Sequence, residues 1–162
     1  MGQVSKRFTE TVVGDVYDLI VKRPSTVKSS AKIKDAIEEM LQNPVSRKVY
    51  VVEDDGKLIG TVTTETILRL LGYRVGVREG GALSFYRFLR DALKEDVMSV
   101  MQKSNTVKKE TKLTEVLQLM IENHLNDLPV IDDQGRLIGE IISLELFIIG
   151  KSVFEGSVSS DS

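Results

Sequence analysis

Few side chains in this sequence are able to do chemistry, and their types exclude more than they offer. There is no cysteine, which removes disulfides, thiolate metal sites and cysteine nucleophiles. The single histidine, His124, provides neither a zinc cluster nor an acid–base pair, and reads as a surface or helix-capping residue. Aspartates 54, 55, 132 and 133 stand in two turn-like strings, Asp54-Asp55-Gly56-Lys57 and Asp132-Asp133-Gln134-Gly135. A hard cation needs several converging oxygens, so acidic turn residues are the simpler reading. Gly76, Gly80 and Gly81 suggest a phosphate loop, but no Gly-Lys-Ser/Thr follows them. The richest cluster is cationic: Arg69, Arg74, Arg78, Arg87 and Arg90, with no lysine among them. The planar guanidinium suits phosphate or carboxylate. Two readings are open, a set of anion contacts or the solvated basic face of a capping helix.

The elements that must position these residues occur twice. The first copy starts with Thr26-Val27 and continues with Ile33, Ala36, Ile37, Met40 and Leu41; the second starts with Thr106-Val107 and continues with Leu113, Val116, Leu117, Met120 and Ile121. Both sets place one apolar stripe on a helix, closed by Asn43 and by Asn123. A short strand follows each, Val49–Val52 and Leu128–Ile131, then an acidic turn with a glycine. A second strand, Leu58–Val62 or Leu137–Ile141, and a short apolar helix complete each unit. The second copy lacks one residue of the loop between Asn43 and Lys48. Asp15 and Asp96 introduce equivalent short helical stretches, and Met98 and Met101 read as core. Ser84 is a candidate N-cap for a helix carrying Phe85, Phe88, Leu89 and Leu93. The serine-rich end after Gly150 has no periodicity and is expected to be disordered.

At 41% hydrophobic and 28% charged residues, the 162-residue chain has the profile of a soluble globular protein. A net charge of −2 gives no footprint for nucleic acid as a primary target. No apolar run is long enough to insert into a membrane and the N-terminus lacks a signal-peptide core, so a cytoplasmic location is expected. A unit of about 55 residues buries too little surface to stand alone, so two should pack together. Exposed helices could then pair with those of a second chain as a homodimer.

Residues 128–139, Leu-Pro-Val-Ile-Asp-Asp-Gln-Gly-Arg-Leu-Ile-Gly, resemble the signature segment of a cystathionine-β-synthase (CBS) domain. The helix upstream and the Thr-Val start fit as well, and the fit occurs twice in tandem. The resemblance implies an α/β (α+β) fold: two β-α-β-β-α CBS repeats packed about a pseudo-twofold axis, with an inter-repeat helical insert. The chain then divides into an N-terminal lead (1–12), repeat 1 (13–71), an insert with the Arg-rich helix (72–92), repeat 2 (93–149) and a disordered Ser-rich tail (150–162).

It also implies a regulatory module and not an enzyme. Such pairs bind an adenosine-type ligand, AMP, ATP or S-adenosylmethionine, in the cleft between repeats and regulate a partner protein, here unidentified; no cofactor is required. In the family motif the strand-end glycine is followed three residues later by Ser or Thr and six residues later by Asp. The hydroxyl and the first N–H groups of the helix face a phosphate, and the carboxylate takes both ribose hydroxyls. After Gly60, Thr63 keeps the hydroxyl but Thr66 replaces the aspartate; after Gly139, Ile142 replaces the hydroxyl and Glu145 supplies a longer carboxylate. Ligand contacts carried over by position are Thr26, Arg47, Lys48, Thr63 and Thr66 in repeat 1, and Thr106, Asn126, Asp127, Ile142 and Glu145 in repeat 2. Arg74 and Arg78 are added as anion contacts. The incomplete motifs leave an alternative, a nucleotide-independent dimeric interaction scaffold.

Overall fold

The computed structural model describes residues 9–75 and 81–158, the side chains of 73–75, 82 and 152–158 excepted. The chain forms two compact units. One is Pro24–Ser104; the other joins the chain up to Arg23 to everything from Asn105 onward.

The Pro24–Ser104 unit holds β1 (Thr26–Lys28), α1 (Ile33–Gln42), β2 (Lys48–Val52), β3 (Leu58–Thr63), α2 (Thr64–Val75) and α3 (Ala82–Leu93). Its sheet runs β1-β2-β3, with β1 parallel to β2 and β3 antiparallel to β2. The α1 stripe buries Ile33, Ala36 and Met40 against Val49, Val51 and Val62. Asp35 secures the first turn by accepting the Lys32 N–H at 2.8 Å. Gly56 takes φ +87 in the hairpin, the conformation for which a glycine was expected there.

The second unit repeats the plan with α4 (Leu113–Asn123), β4 (Asp127–Ile131), β5 (Leu137–Ile142) and α5 (Ser143–Val158). β4 and β5 are antiparallel, and Gly135 takes φ +81 in their turn. The strand expected at Thr106-Val107 is a single residue: Val107 donates to the Pro129 carbonyl and accepts from the Ile131 N–H, a lone parallel bridge to Val130. His124 ends α4 in the left-handed conformation at φ +54, as a capping residue should.

Each unit is completed by the lead-in of the other repeat. Val13 N–H bonds the Thr111 carbonyl at 2.8 Å, and Leu113 N–H bonds Thr11 at 3.0 Å. The equivalent pairs in the first unit are Ile33 to Glu95 at 2.8 Å and Val97 to Ala31 at 3.0 Å. The repeats that are contiguous in sequence therefore exchange their lead-ins in space, because these backbone groups find partners beside the opposite long helix. Gln102 also exchanges two bonds with Thr61 and closes the free edge of β3.

Several element ends differ from the sequence reading. α2 runs on through Gly72 to Val75, α3 begins at Ala82 with Gly81 as N-cap, and Ser84 lies inside its first turn. α5 extends past Gly150 to Val158, so the disorder expected from 150 does not begin there; no proline interrupts the helix, and residues 159–162 are outside those described. The short stretch after Asp96 is a single 3-10 turn, Val97–Ser99, whereas the one expected after Asp15 is turn and bend, its 3-10 turn being Val13–Asp15, which ends at Asp15. Met98 is 48% exposed rather than core, whereas Met101 packs against the first unit's core.

Gly60 and Gly139 lie within β3 and β5, where a lead-in packs against them. A Cβ on Gly60 would lie under 3.0 Å from the Met101 side chain and the Gln102 carbonyl; one on Gly139 would overlap the Tyr17 ring. Gly139→Ala is therefore expected to lower unfolding free energy by about 1–3 kcal/mol in urea denaturation. The loss should shrink when Tyr17 is also replaced by alanine; an equal loss in both backgrounds would place the strain elsewhere.

Candidate functional site

In both units the end of the antiparallel pair meets the start of the final helix, and most of the predicted contacts gather there. Lys48 pairs in register with Thr63, and Thr64 N–H points to the Arg47 carbonyl at 3.5 Å. Asp127 likewise pairs with Ile142, and Ser143 N–H bonds the Asn126 carbonyl at 2.8 Å. Thr26 stands exposed on β1 opposite Tyr50, two register positions from Lys48. Thr106 is exposed beside the Val107 bridge.

A helix starts with N–H groups that have no partner within it, and each repeat meets that demand differently. In the first unit, Thr66 N–H donates to Thr63 Oγ1 at 3.1 Å, and Thr63 N–H donates to Thr66 Oγ1 at 3.0 Å. This is a capping box with threonine at both corners. Thr66 also donates its hydroxyl proton to the Thr63 carbonyl at 2.9 Å. Its donor is thereby used, whereas the Thr63 hydroxyl acts here as an acceptor and keeps its proton to give.

In the second unit the cap residue is Ile142, which has no hydroxyl, and the box is closed from one side by Glu145. Glu145 Oε1 accepts the Ile142 N–H at 3.0 Å. Its Oε2 accepts the Leu19 N–H at 2.9 Å and the Ile20 N–H at 3.2 Å, from a lead-in 126 and 125 residues earlier. The side chain thus pins the exchanged lead-in to the start of α5, with 0% of its surface exposed. Burial pushes its carboxyl above the usual glutamate range; the three N–H donors oppose this, and the nearby Asp18 charge reinforces it. Sequence position suggested a ribose contact for Glu145, while the geometry gives both its oxygens to backbone. The pattern of a Glu three residues into a helix, ahead of an apolar run, is a cap signal that was present in the sequence.

The remaining candidates separate. Arg69 pairs with Glu65 and Arg90 with Asp91. The Arg74 side chain, Arg78, Gly76 and Gly80 lie outside the described residues. The acidic turns are used locally: Asp132 accepts the Gln134 and Arg136 N–H groups at 2.9 Å each, Asp133 pairs with Lys108 at 3.1 Å, and Asp55 accepts the Lys57 N–H at 3.0 Å. Among the described residues no group of three or more acidic or histidine side chains could hold a metal ion, and no helix is long and apolar enough to cross a membrane.

Glu145→Ala should lower stability by about 2–4 kcal/mol, since three N–H groups lose an acceptor. The pH dependence has a defined sign. A carboxyl whose folded pKa is raised binds its proton more tightly in the folded state, so its contribution is fully present below the unfolded pKa and is lost as pH rises through the folded one. Thermal melts should therefore show the parent gaining on Glu145→Gln as pH falls from neutrality toward the ordinary glutamate value; a constant difference would contradict the burial.

Comparison with known proteins agrees with the architecture. The CBS domain family model matches residues 13–73 and 95–146. The uncharacterised protein MJ1426 of Methanocaldococcus jannaschii is 28% identical over 138 residues, covering 74% of this chain and 82% of that protein. A CBS domain-containing protein from Thermotoga maritima has a crystal structure that aligns with TM-score 0.69 and 28% identity, over 86% of this chain and 93% of that one. CBSX2, solved in complex with AMP, aligns with TM-score 0.64 and 22% identity, over 94% and 99% of the two chains. With two family matches in tandem and the same fold in its structural neighbours, this chain belongs to the CBS domain family.

Proposed function

We propose that the chain is a regulatory module, not a catalyst, that senses an adenosine-type ligand and passes its occupancy to a partner protein. The observation that carries this reading is the Thr63 corner. Its hydroxyl proton is available at the start of a 12-residue helix, with Lys48 opposite in register and Arg47 adjacent. Hydroxyl, helix N–H groups and cations are the donors a phosphate needs. The AMP held by CBSX2, a protein of the same fold, supports the ligand class. Thr66 offers no charged acceptor for a ribose, so affinity rests on the phosphate end. A phosphate-bearing nucleotide is accordingly favoured over S-adenosylmethionine. Regulation further requires that the ligand bind two states of the module unequally.

One feature favours a second reading, a self-associating scaffold that needs no nucleotide. In the second unit, Ile142 and Glu145 are closed off, while Leu117, Ile121, Leu144, Phe147 and Ile148 of α4 and α5 are exposed, Ile121 and Phe147 by 65% and 63%. Apolar surface of this kind marks an interface. A homodimer is compatible with both readings.

Calorimetric titration with AMP, ATP and S-adenosylmethionine separates them. The sensor reading expects micromolar AMP or ATP binding that Thr63→Val weakens about tenfold, one charge-assisted hydrogen bond. The absence of heat with all three ligands would favour the scaffold. Light scattering on Phe147→Ser then reports the interface: the dimer should dissociate at concentrations where the parent remains associated.

A further inference from the structure

The helical face of the Pro24–Ser104 unit contains a groove whose apolar walls take no part in the nucleotide reading. It encloses about 440 Å³ between α1, α2 and α3, in the size range of small-molecule sites. Ile37, Met40, Ile67, Leu68 and Leu71 line its walls, and Leu89 of α3 reaches it from the side. Only two of its lining residues are polar, Arg47 and Thr64, and both stand at the same end, where β2 begins and α2 starts. Arg47 is exposed and no described residue accepts a hydrogen bond or ion pair from its guanidinium. Its backbone is held at φ +54, a conformation a non-glycine residue adopts at a cost.

The repeat provides an internal comparison. The equivalent groove of the second unit keeps the apolar lining through Leu117, Met120, Leu146 and Phe147. There Asn126 and Ser143 take the places of Arg47 and Thr64, and among the described residues none of a third helix lines it. The cation and the helix that walls the groove are thus found together in the first repeat.

From one apolar channel with one unpaired cation at its end, we propose that this groove binds a free medium-chain fatty acid, with its alkyl chain along α1 and α2 and its carboxylate on Arg47. The guanidinium fork matches a carboxylate, and the lining offers nothing to the polar edge of a base or sugar. The inference does not depend on nucleotide binding at Thr63.

The five methionines make a test possible in the intact chain, because Met40 lines this groove and Met120 its counterpart. Protein labelled with ¹³C at the methionine methyls is titrated with decanoate below its micellar range, and separately with decanol. Decanoate should shift the Met40 resonance in a saturable manner and leave Met120 in place. Arg47→Gln should weaken decanoate about tenfold while leaving decanol unchanged. Equal shifts at Met40 and Met120, no saturation, or equal affinity in Arg47→Gln would overturn the proposal. So would a Met40 resonance that follows protein concentration and ignores decanoate, which would assign the groove to a second copy of the chain. AMP binding is read separately in the parent protein, since Arg47 also stands beside the Thr63 corner.

Discussion

The first backbone N–H groups of a helix must find acceptors, and what supplies them decides the character of each half of this protein. In the first unit two threonines cap one another, and the arrangement leaves a hydroxyl proton free to donate. In the second unit Ile142 offers nothing, so Glu145 turns back to its N–H and at the same time takes two N–H groups from the lead-in. The same requirement, met by different side chains, leaves a hydroxyl proton at one corner and makes the other a structural clamp. A carboxylate that is buried with its oxygens on backbone donors holds the fold together and has little left to offer a sugar.

The exchange of lead-ins links this local chemistry to the packing. The backbone bridge at Val12 and Lys112 and its counterpart at Lys32 and Asp96 hold each lead-in at the start of the other repeat's long helix. Glycine is needed at positions 60 and 139, since the Met101 and Tyr17 side chains occupy the space a Cβ would fill. The glycine from which the family motif is counted is thus required by the packing of the lead-in. Lys109, whose ammonium lies 5.8 Å from the Tyr17 ring centre, adds a cation–π contact.

The repeats also differ on their helical faces. Both present an apolar groove, but the insert helix α3 walls only the first, where Arg47 also stands. The second remains a broad apolar surface with Phe147 and Ile121 outward.

Alternation and periodicity were enough to read the tandem architecture. Ile33, Ala36 and Met40, like Leu113, Val116 and Met120, are buried as their spacing requires, because helix amphipathicity is a local property of the chain. The hairpin glycines, Gly56 and Gly135, were legible for the same reason. Element ends were less so, since Gly72 and Gly150 lie in helices whose neighbours contain no breaker. What the sequence could not decide is which lead-in meets which helix, because two similar segments compete and only packing selects between them. That choice brings Leu19 and Ile20 to Glu145 across more than a hundred residues. It makes Glu145, a ligand contact by family position, an acceptor for the lead-in backbone. Local pattern thus determined the elements and the candidate corners, and long-range backbone pairing determined that Glu145 is enclosed by the lead-in.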